Sequence, residues 1–397
     1  MINIKEKLKQ FPTAIMLCQL IRNEGGQARF VGGAVRDLIL NREVSDIDLA
    51  TNIPPNKIET ILSKNNIKYI SIGKDFGTIT AIINKQHIEI TTLRKDISCD
   101  GRHAVVEYTD DWQEDAQRRD FTVNAMSADL DGNIYDYFDG LVDLEQRKVR
   151  FIGNAEDRIT EDYLRILRFF RFTSYFADNI DEQGLVACAK YANKVQGISI
   201  SRFRSEMSKI FLSKNALQII EVMQTNNILP CKYDSVKYLQ NLNKVSLKFF
   251  CESSEILYLS ALLRGFDNPD VIINNSAFKS SESKLLKLLM YSDLQKFDID
   301  SLRENWQKYK HSFQDLVLIS LAVKDIDISR EIEQSLKRLL ATEIIALPIC
   351  GKDLAKIGIN PGKEMGELLA IAEKLWYKSE FKISKEELIF HLENKIL

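Results

Sequence analysis

The sequence predicts an α+β chain: a mixed-sheet head at the N-terminus, followed by helices to the end. Two observations carry this. Short runs rich in Ile, Val and Thr, bounded by Gly, Pro and Asn, recur between Phe30 and Leu93 and cease by about Val149. Beyond Phe151 the apolar residues fall at helical spacing instead. At 397 residues the chain exceeds a single ordinary core, so two or more domains are expected. A hydrophobic content of 45% and only seven prolines suit folded, helix-rich material.

In order, Ile4 to Asn23 has helical periodicity and stops at Gly25-Gly26. The stretch Phe30 to Thr51, FVGGAVRDLILNREVSDIDLAT, reads as a strand ending in Gly32-Gly33, a short helix, a polar turn and a strand carrying Asp46 and Asp48. Alternation along that strand puts Asp46 and Asp48 on one face and Ile47 and Leu49 toward the core. Two carboxylates on one face repel unless a cation sits between them, and a hard divalent ion suits oxygen ligands. Magnesium together with a nucleotide is therefore expected here. Gly32 and Gly33, lacking a Cβ, let the backbone turn sharply toward a triphosphate, and Arg36 adds a guanidinium for the phosphates. A lone Gly-Gly corner or a lone Asp-x-Asp is ordinary surface chemistry; the two in one compact unit, with an arginine between them, point to a site.

Pro54-Pro55 opens a helix to about Lys64, and strand-like runs follow at Ile67–Ile72, Gly77–Ile83 and His87–Leu93. Glu89, in the third run, fits either a third metal carboxylate or an exposed strand residue. Arg94 to Asp115 is polar and irregular, a long loop with Asp100-Gly101-Arg102-His103 at its middle. Arg118 to Met126, RRDFTVNAM, reads as a helix start. Its charges suit a solvated surface, or Asn124, one turn beyond Asp120, orders the aspartate strand or a ribose. Tyr135 to Leu144 closes the head with a turn at Asp139-Gly140.

The next informative segment is Glu161 to Phe172, EDYLRILRFFRF, read as one helix. Leu164, Ile166, Leu167, Phe169, Phe170 and Phe172 supply its packing, while Asp162, Arg165, Arg168 and Arg171 recur every third residue. An intrahelical Asp162–Arg165 salt bridge on a basic face accounts for this pattern. The alternative is chemical. A carboxylate accepts from an exocyclic amine while a guanidinium donates to the neighbouring ring nitrogen. Cytosine and adenine both present that edge; uracil and guanine present the reverse. Such a pair accepts CTP and ATP and rejects UTP and GTP.

Composition narrows the alternatives. Six scattered cysteines, with no CxxC and no zinc spacing, suit reduced thiols in a cytoplasm. Four histidines form no metal-ligand pair, and the missing His-Asp doublet argues against a phosphohydrolase module. The most apolar runs, such as Leu316 to Val323, are too short to span a membrane. A net charge of −2 requires any nucleic-acid surface to be local.

Taken together and in this order, GGAVRD, DID, RRDFTVNAM, YFDGLVDL and EDYLRILRFFRF resemble the bacterial class II CCA-adding enzymes, of the tRNA nucleotidyltransferase and poly(A) polymerase family. The match is specific over about the first half of the chain. The resemblance implies a polymerase β-like nucleotidyltransferase head (residues 1–148), a helical neck for base recognition (149–214), a helical body (215–345) and a helical, tRNA-binding tail (346–397). By the same resemblance Asp46 and Asp48 hold two Mg2+ ions, Gly33 and Arg36 the triphosphate and Arg119 the nucleotide. Asp162 and Arg165 read the base, with Arg168 and Arg171 also at the nucleotide site. The implied substrates are ATP, CTP and a tRNA acceptor end, the implied state a monomer or dimer. Ser201 stands before Arg202 where the family has an acidic residue. Asp75-Phe76-Gly77-Thr78-Ile79 and the tail run from Gly351 to Gly366 look like the CCA enzymes rather than the poly(A) polymerases. The segment containing Arg94, Asp96 and Asp100-Gly101-Arg102 favours full CCA addition over CC addition. Intact Asp46 and Asp48 argue against a non-catalytic RNA-binding protein. The long helical half argues against a small-molecule nucleotidyltransferase.

Overall fold

The computed structural model describes residues 2–99, 104–231, 233–251, 253–341, 347–379 and 382–396. The chain divides into two compact units, residues 1–236 with 265–279, and residues 237–264 with 280–397.

The first unit begins with α1 (Lys5–Leu8) and α2 (Pro12–Asn23). The single helix expected over Ile4 to Asn23 is two, because Pro12 has no N–H to continue one and instead takes the first turn of the next. Then come β1 (Ala28–Val31), α3 (Gly33–Ile39), β2 (Asp48–Thr51), α4 (Pro55–Lys64), β3 (Lys68–Ile70), β4 (Thr78–Ile83) and β5 (Gln86–Thr92). Two short strands, β6 (Arg94–Cys99) and β7 (Ala104–Tyr108), form a separate antiparallel hairpin. This corrects the expected irregular loop: Lys95 opposes Glu107 across the ladder and pairs with it at 3.1 Å, which stabilises the register. Asp100, Gly101, Arg102 and His103 lie outside the described residues.

α5 (Trp112–Gln117) follows, capped by the Asp111 side chain, and then β8 (Ser127–Ala128), β9 (Ile134–Tyr135) and α6 (Gly140–Glu145). The run from Arg118 is not a helix start; only Thr122–Asn124 makes a 3-10 turn. A backbone bridge between Phe121 and Phe151, with Thr122 N donating to Arg150 O and Ile152 N to Asp120 O, holds the chain extended there. The main sheet runs β3-β4-β5-β2-β1-β8-β9. β1 and β2 are antiparallel, whereas β2 and β5 are parallel and in a register that sets Asp48 beside Glu89.

Helices then take over: α7 (Ala155–Glu161), α8 (Leu164–Phe176), α9 (Glu182–Lys190), α10 (Ile200–Phe211) and α11 (Ala216–Thr225). The helix expected over Glu161 to Phe172 is broken at Asp162, whose backbone is extended (φ −155°, ψ 108°). The Asp162 carboxylate accepts from Leu164 N at 3.0 Å, a local bond with which short polar side chains compete against a continuous helix. α8 is fixed to the head by aromatic rings. Phe121 lies 4.8 Å from Phe151 and 5.4 Å from Phe172, and Phe151 stacks on Phe169 at 5.4 Å. α10 packs along α8.

Beyond these, α12 (Tyr233–Phe249), α13 (Glu255–Leu263), α14 (Pro269–Ile273), α15 (Ser280–Tyr291), α16 (Ile299–Tyr309), α17 (Phe313–Lys324) and α18 (Arg330–Ala341) precede α19 (Gly351–Lys356), α20 (Lys363–Lys378) and α21 (Lys385–Ile396). α14 belongs with the first unit, where Arg204 donates to Ala277 O at 2.7 Å. α17 forms the centre of the second unit: Leu316 to Leu321 are all buried, as a helix surrounded on every side requires. At the C-terminal end Asp353 accepts from Cys350 N and from Lys385 at 2.7 Å, tying α19 to α21. Among the described residues no helix is long and apolar enough to cross a membrane.

Candidate active site

A cavity of about 640 Å³ opens in the first unit between the β1–α3 corner, the segment entering β2, and helices α8 and α10. Gly32, Gly33, Arg36, Asp46, Asp48, Arg119, Asn124, Arg168 and Arg171 all line it. These nine were singled out from the sequence, and folding brings them to one place from four separate stretches of chain.

The corner needs glycine at position 32. Its φ is +66°, a region costly for other residues, and a Cβ there would stand 3.0 Å from Arg119 Nη1. β2 starts only at Asp48, so Asp46 lies in the turn ahead of the strand rather than on it. Both carboxylates nonetheless face the cavity, and Ser45 Oγ donates to Asp46 at 2.9 Å. The Asp48 carboxyl is pushed up to about 6, chiefly by the protein around it and then by the charge of Glu89 beside it, with Asp46 adding to the rise and Arg119 opposing it. A carboxylate crowded by carboxylates, with oxygen donors only, fits a hard divalent cation. Among the described residues no group of three His, Cys, Asp or Glu stands together as a ready metal cage. Glu89 is Asp48's neighbour in the sheet and does not line the cavity.

The basic side chains are held by a continuous network. Arg36 donates to Asp37 at 2.8 and 2.9 Å and to Asn124 Oδ1 at 2.5 Å. Asn124 Nδ2 donates to Asp120 at 3.0 Å, and Asp120 accepts from Arg168 Nε at 2.7 Å. Asn124 therefore aims Arg36, while Asp120 stands behind the cavity wall. Burial alone would raise the Asp120 carboxyl; Arg168, Asn124 and the Phe121 N–H outweigh it and hold it below the usual range. Asp115 holds Arg118 at 2.8 Å and Arg119 at 3.3 Å. Arg171 Nε lies 2.8 Å from Glu206 Oε2, but neither atom makes a well-aligned hydrogen bond, so this is a charge contact only. Burial pulls the Arg171 guanidinium below its ordinary value despite Glu206.

Asp162 and Arg165 are placed elsewhere. Asp162 opens on a second cavity of about 550 Å³ and accepts from Arg202 Nη2 at 2.6 Å. Arg202 also lines that cavity, so it reaches Asp162 although Ser201 precedes it. Arg165 donates to Arg158 O at 2.8 Å and Arg118 O at 3.1 Å and pairs with Glu161. The two side chains are thus not bonded to each other, and each has partners of its own.

Arg42, Phe176 and Lys209, none of them expected from the sequence, also line the larger cavity. The Phe176 ring carries two guanidinium groups within cation–π range, Arg36 at 4.5 Å and Arg42 at 4.7 Å. Arg42's place, four residues before Asp46, was the available signal; nothing local marks Phe176 or Lys209.

The chain is similar to known proteins over nearly its whole length. Residues 28–150 match the family described as Poly A polymerase head domain, and residues 179–230 the one described as "Probable RNA and SrmB- binding site of polymerase A". The CCA tRNA nucleotidyltransferase 1, mitochondrial, of Mus musculus is 34% identical over 390 residues, spanning 95% of this chain and 88% of its own. The CCA-adding enzyme of Lactococcus lactis subsp. cremoris (strain SK11) is 33% identical over 392 residues, 95% of each chain. The fold is similar to that of the Bacillus stearothermophilus CCA-adding enzyme in complex with CTP, with a TM-score of 0.74 over 97% of both chains at 24% identity. It is also similar to that of the Thermotoga maritima CCA-adding enzyme complexed with tRNA, with a TM-score of 0.72 over 100% and 99% of the chains at 21% identity.

Proposed function

Because the chain belongs to the CCA-adding enzyme family of tRNA nucleotidyltransferases, we propose that it adds C, C and A to the 3′ end of tRNA, using CTP and ATP without a nucleic-acid template and releasing pyrophosphate. The observation that carries this is the single cavity in which Asp46 and Asp48 face the Gly32-Gly33 corner and Arg36, Arg119, Arg168 and Arg171.

In this reading Asp46 and Asp48 hold Mg2+, which when bound supplies Lewis-acid activation of the tRNA 3′-hydroxyl and charge neutralisation on the pyrophosphate. The chain's own part is positioning. The Gly32 turn admits phosphate close to the backbone, Asn124 and Asp120 pre-set Arg36 and Arg168, and the Phe176 ring gives both Arg36 and Arg42 a cation–π contact. Asp162 and Arg165 read the base by the amine and ring-nitrogen edge that cytosine and adenine share. Asp162 starts paired with Arg202 and Arg165 with Glu161, so base selection competes with these contacts. The protein acts in the cytoplasm, where thiols remain reduced; burial pushes the Cys18 thiol up to about 12, which keeps it unreactive.

Two substitutions separate the roles. With tRNA lacking its terminal CCA, Asp46→Ala is expected to abolish transfer of every nucleotide. Asp162→Ala is expected to retain transfer while relaxing the choice of base. Full discrimination by Asp162→Ala would remove that residue from base reading.

A further inference from the structure

The cavity's cations differ in how far they are already committed. Four of its five arginines already meet a carboxylate: Arg36 has Asp37, Arg168 has Asp120, Arg171 has Glu206, and Arg119 shares Asp115 with Arg118. The fifth, Arg42, donates to the Tyr175 carbonyl and stacks on Phe176. Lys209 also lines the cavity, and its side chain makes no hydrogen bond or ion pair among the described residues. It lies on α10, three residues beyond Glu206, and residues at that spacing share a helix face. Glu206 meets Arg171, so the same face is turned to α8 and the cavity, with Lys209 one turn further along. The lysine therefore enters from the helical wall, whereas the glycine corner and Asp46/Asp48 belong to the head.

We propose that Lys209 binds the phosphate oxygens of the incoming nucleotide and of the departing pyrophosphate, independently of the base. This rests on the triphosphate reading of the cavity given above. A cation already matched by a carboxylate contributes little surplus charge, whereas an unmatched ammonium contributes its full charge to a polyanion. An ammonium is a compact point charge with rotatable donors and no flat edge, so it suits phosphate and carries no information about C or A. Its long stem also lets it follow the leaving group after the bond to the α-phosphate has broken.

The test uses the full chain with Lys209→Gln and Lys209→Arg, both checked for an unchanged melting temperature. Steady-state KM is measured for CTP, ATP and tRNA, together with inhibition by inorganic pyrophosphate in the presence of Mg2+. Lys209→Gln is expected to raise KM for CTP and ATP by the same factor, about tenfold, the scale of one charge-assisted hydrogen bond. Pyrophosphate inhibition should weaken by a similar factor. KM for tRNA and the preference for C over A should stay as they are, and Lys209→Arg should restore most of the loss. Unchanged nucleotide KM and pyrophosphate inhibition would overturn the proposal. So would a rise confined to the tRNA KM, which would assign the lysine to the RNA backbone, or a changed base preference. Calorimetric binding of Mg-pyrophosphate to wild type and Lys209→Gln reads the same contact without turnover. A protein that failed to extend tRNA yet lost pyrophosphate affinity on substitution would leave the lysine's role standing while removing CCA addition.

Discussion

Asp48 is the residue whose chemistry is most sharply defined. Its carboxyl is pushed up to about 6 from the ordinary 3.8, because the protein packed around it, then Glu89 and Asp46, disfavour its charge more than Arg119 favours it, even though the residue stays exposed on the cavity side. For a carboxyl raised on folding, ionisation costs stability: the contribution is most favourable below the unfolded value and is lost as pH rises through about 6. A cation bound by the ionised form reverses that loss. The stabilisation given by MgCl2, read as a shift in melting temperature, is therefore expected to be larger at pH 7 than at pH 5. In Asp48→Asn it should be small at both, and the metal-free variant should melt no lower than wild type at pH 7. Equal Mg2+ shifts at both pH values would contradict this origin of the carboxyl's elevation. Gly32 is defined as clearly by its backbone. Gly32→Ala puts a side chain at φ +66° and against Arg119, a strain of about 1–3 kcal/mol that a denaturant titration will register alongside loss of transfer. Both residues were legible in the sequence because glycine and paired aspartates have few structural uses at such spacing. Lys209 was not legible, since only the packing of α10 on α8 brings it to the cavity.

At the level of elements, α8 does the most to join chemistry to fold. One face presents Arg168 and Arg171 to the cavity, and the other buries Phe169 and Phe170. Phe169→Ala removes a fully buried ring from the stack with Phe151 and is expected to cost about 3–5 kcal/mol in chemical denaturation. A loss below about 1 kcal/mol would mean that the aromatic stack does not fix α8 to the head. The hydrophobic pattern of α8 was legible; its start was not. Periodicity cannot see that Asp162 caps Leu164 and ends α7 early, because that bond depends on one side chain rather than on spacing. The same limit applies to the run from Arg118, where pairing of Phe121 with Phe151, thirty residues later, overrides a helical pattern. The hairpin of β6 and β7 was hidden for the opposite reason: β6, RKDISC, is polar at its start and neither strand shows the regular apolar alternation that marks a half-buried one.

For the whole molecule, the division between a sheet-containing head and a helical remainder follows the sequence closely: among the described residues the last strand ends at Tyr135. A period-2 pattern gives way to a 3.6 pattern, and each period can bury only one kind of face. The boundary between compact units was not legible. It returns residues 265–279 to the first unit, a long-range association that no local composition marks. A site that reads bases with side chains, and has no template, is expected to add a fixed sequence and stop. Purified protein is supplied with Mg2+, tRNA lacking its CCA end, and each labelled nucleotide alone and then in combination. The expected result is incorporation of C from CTP, then a single A from ATP, no use of UTP or GTP, and growth that ends at three residues. A long tail of A from ATP alone, or incorporation of U or G, would contradict it.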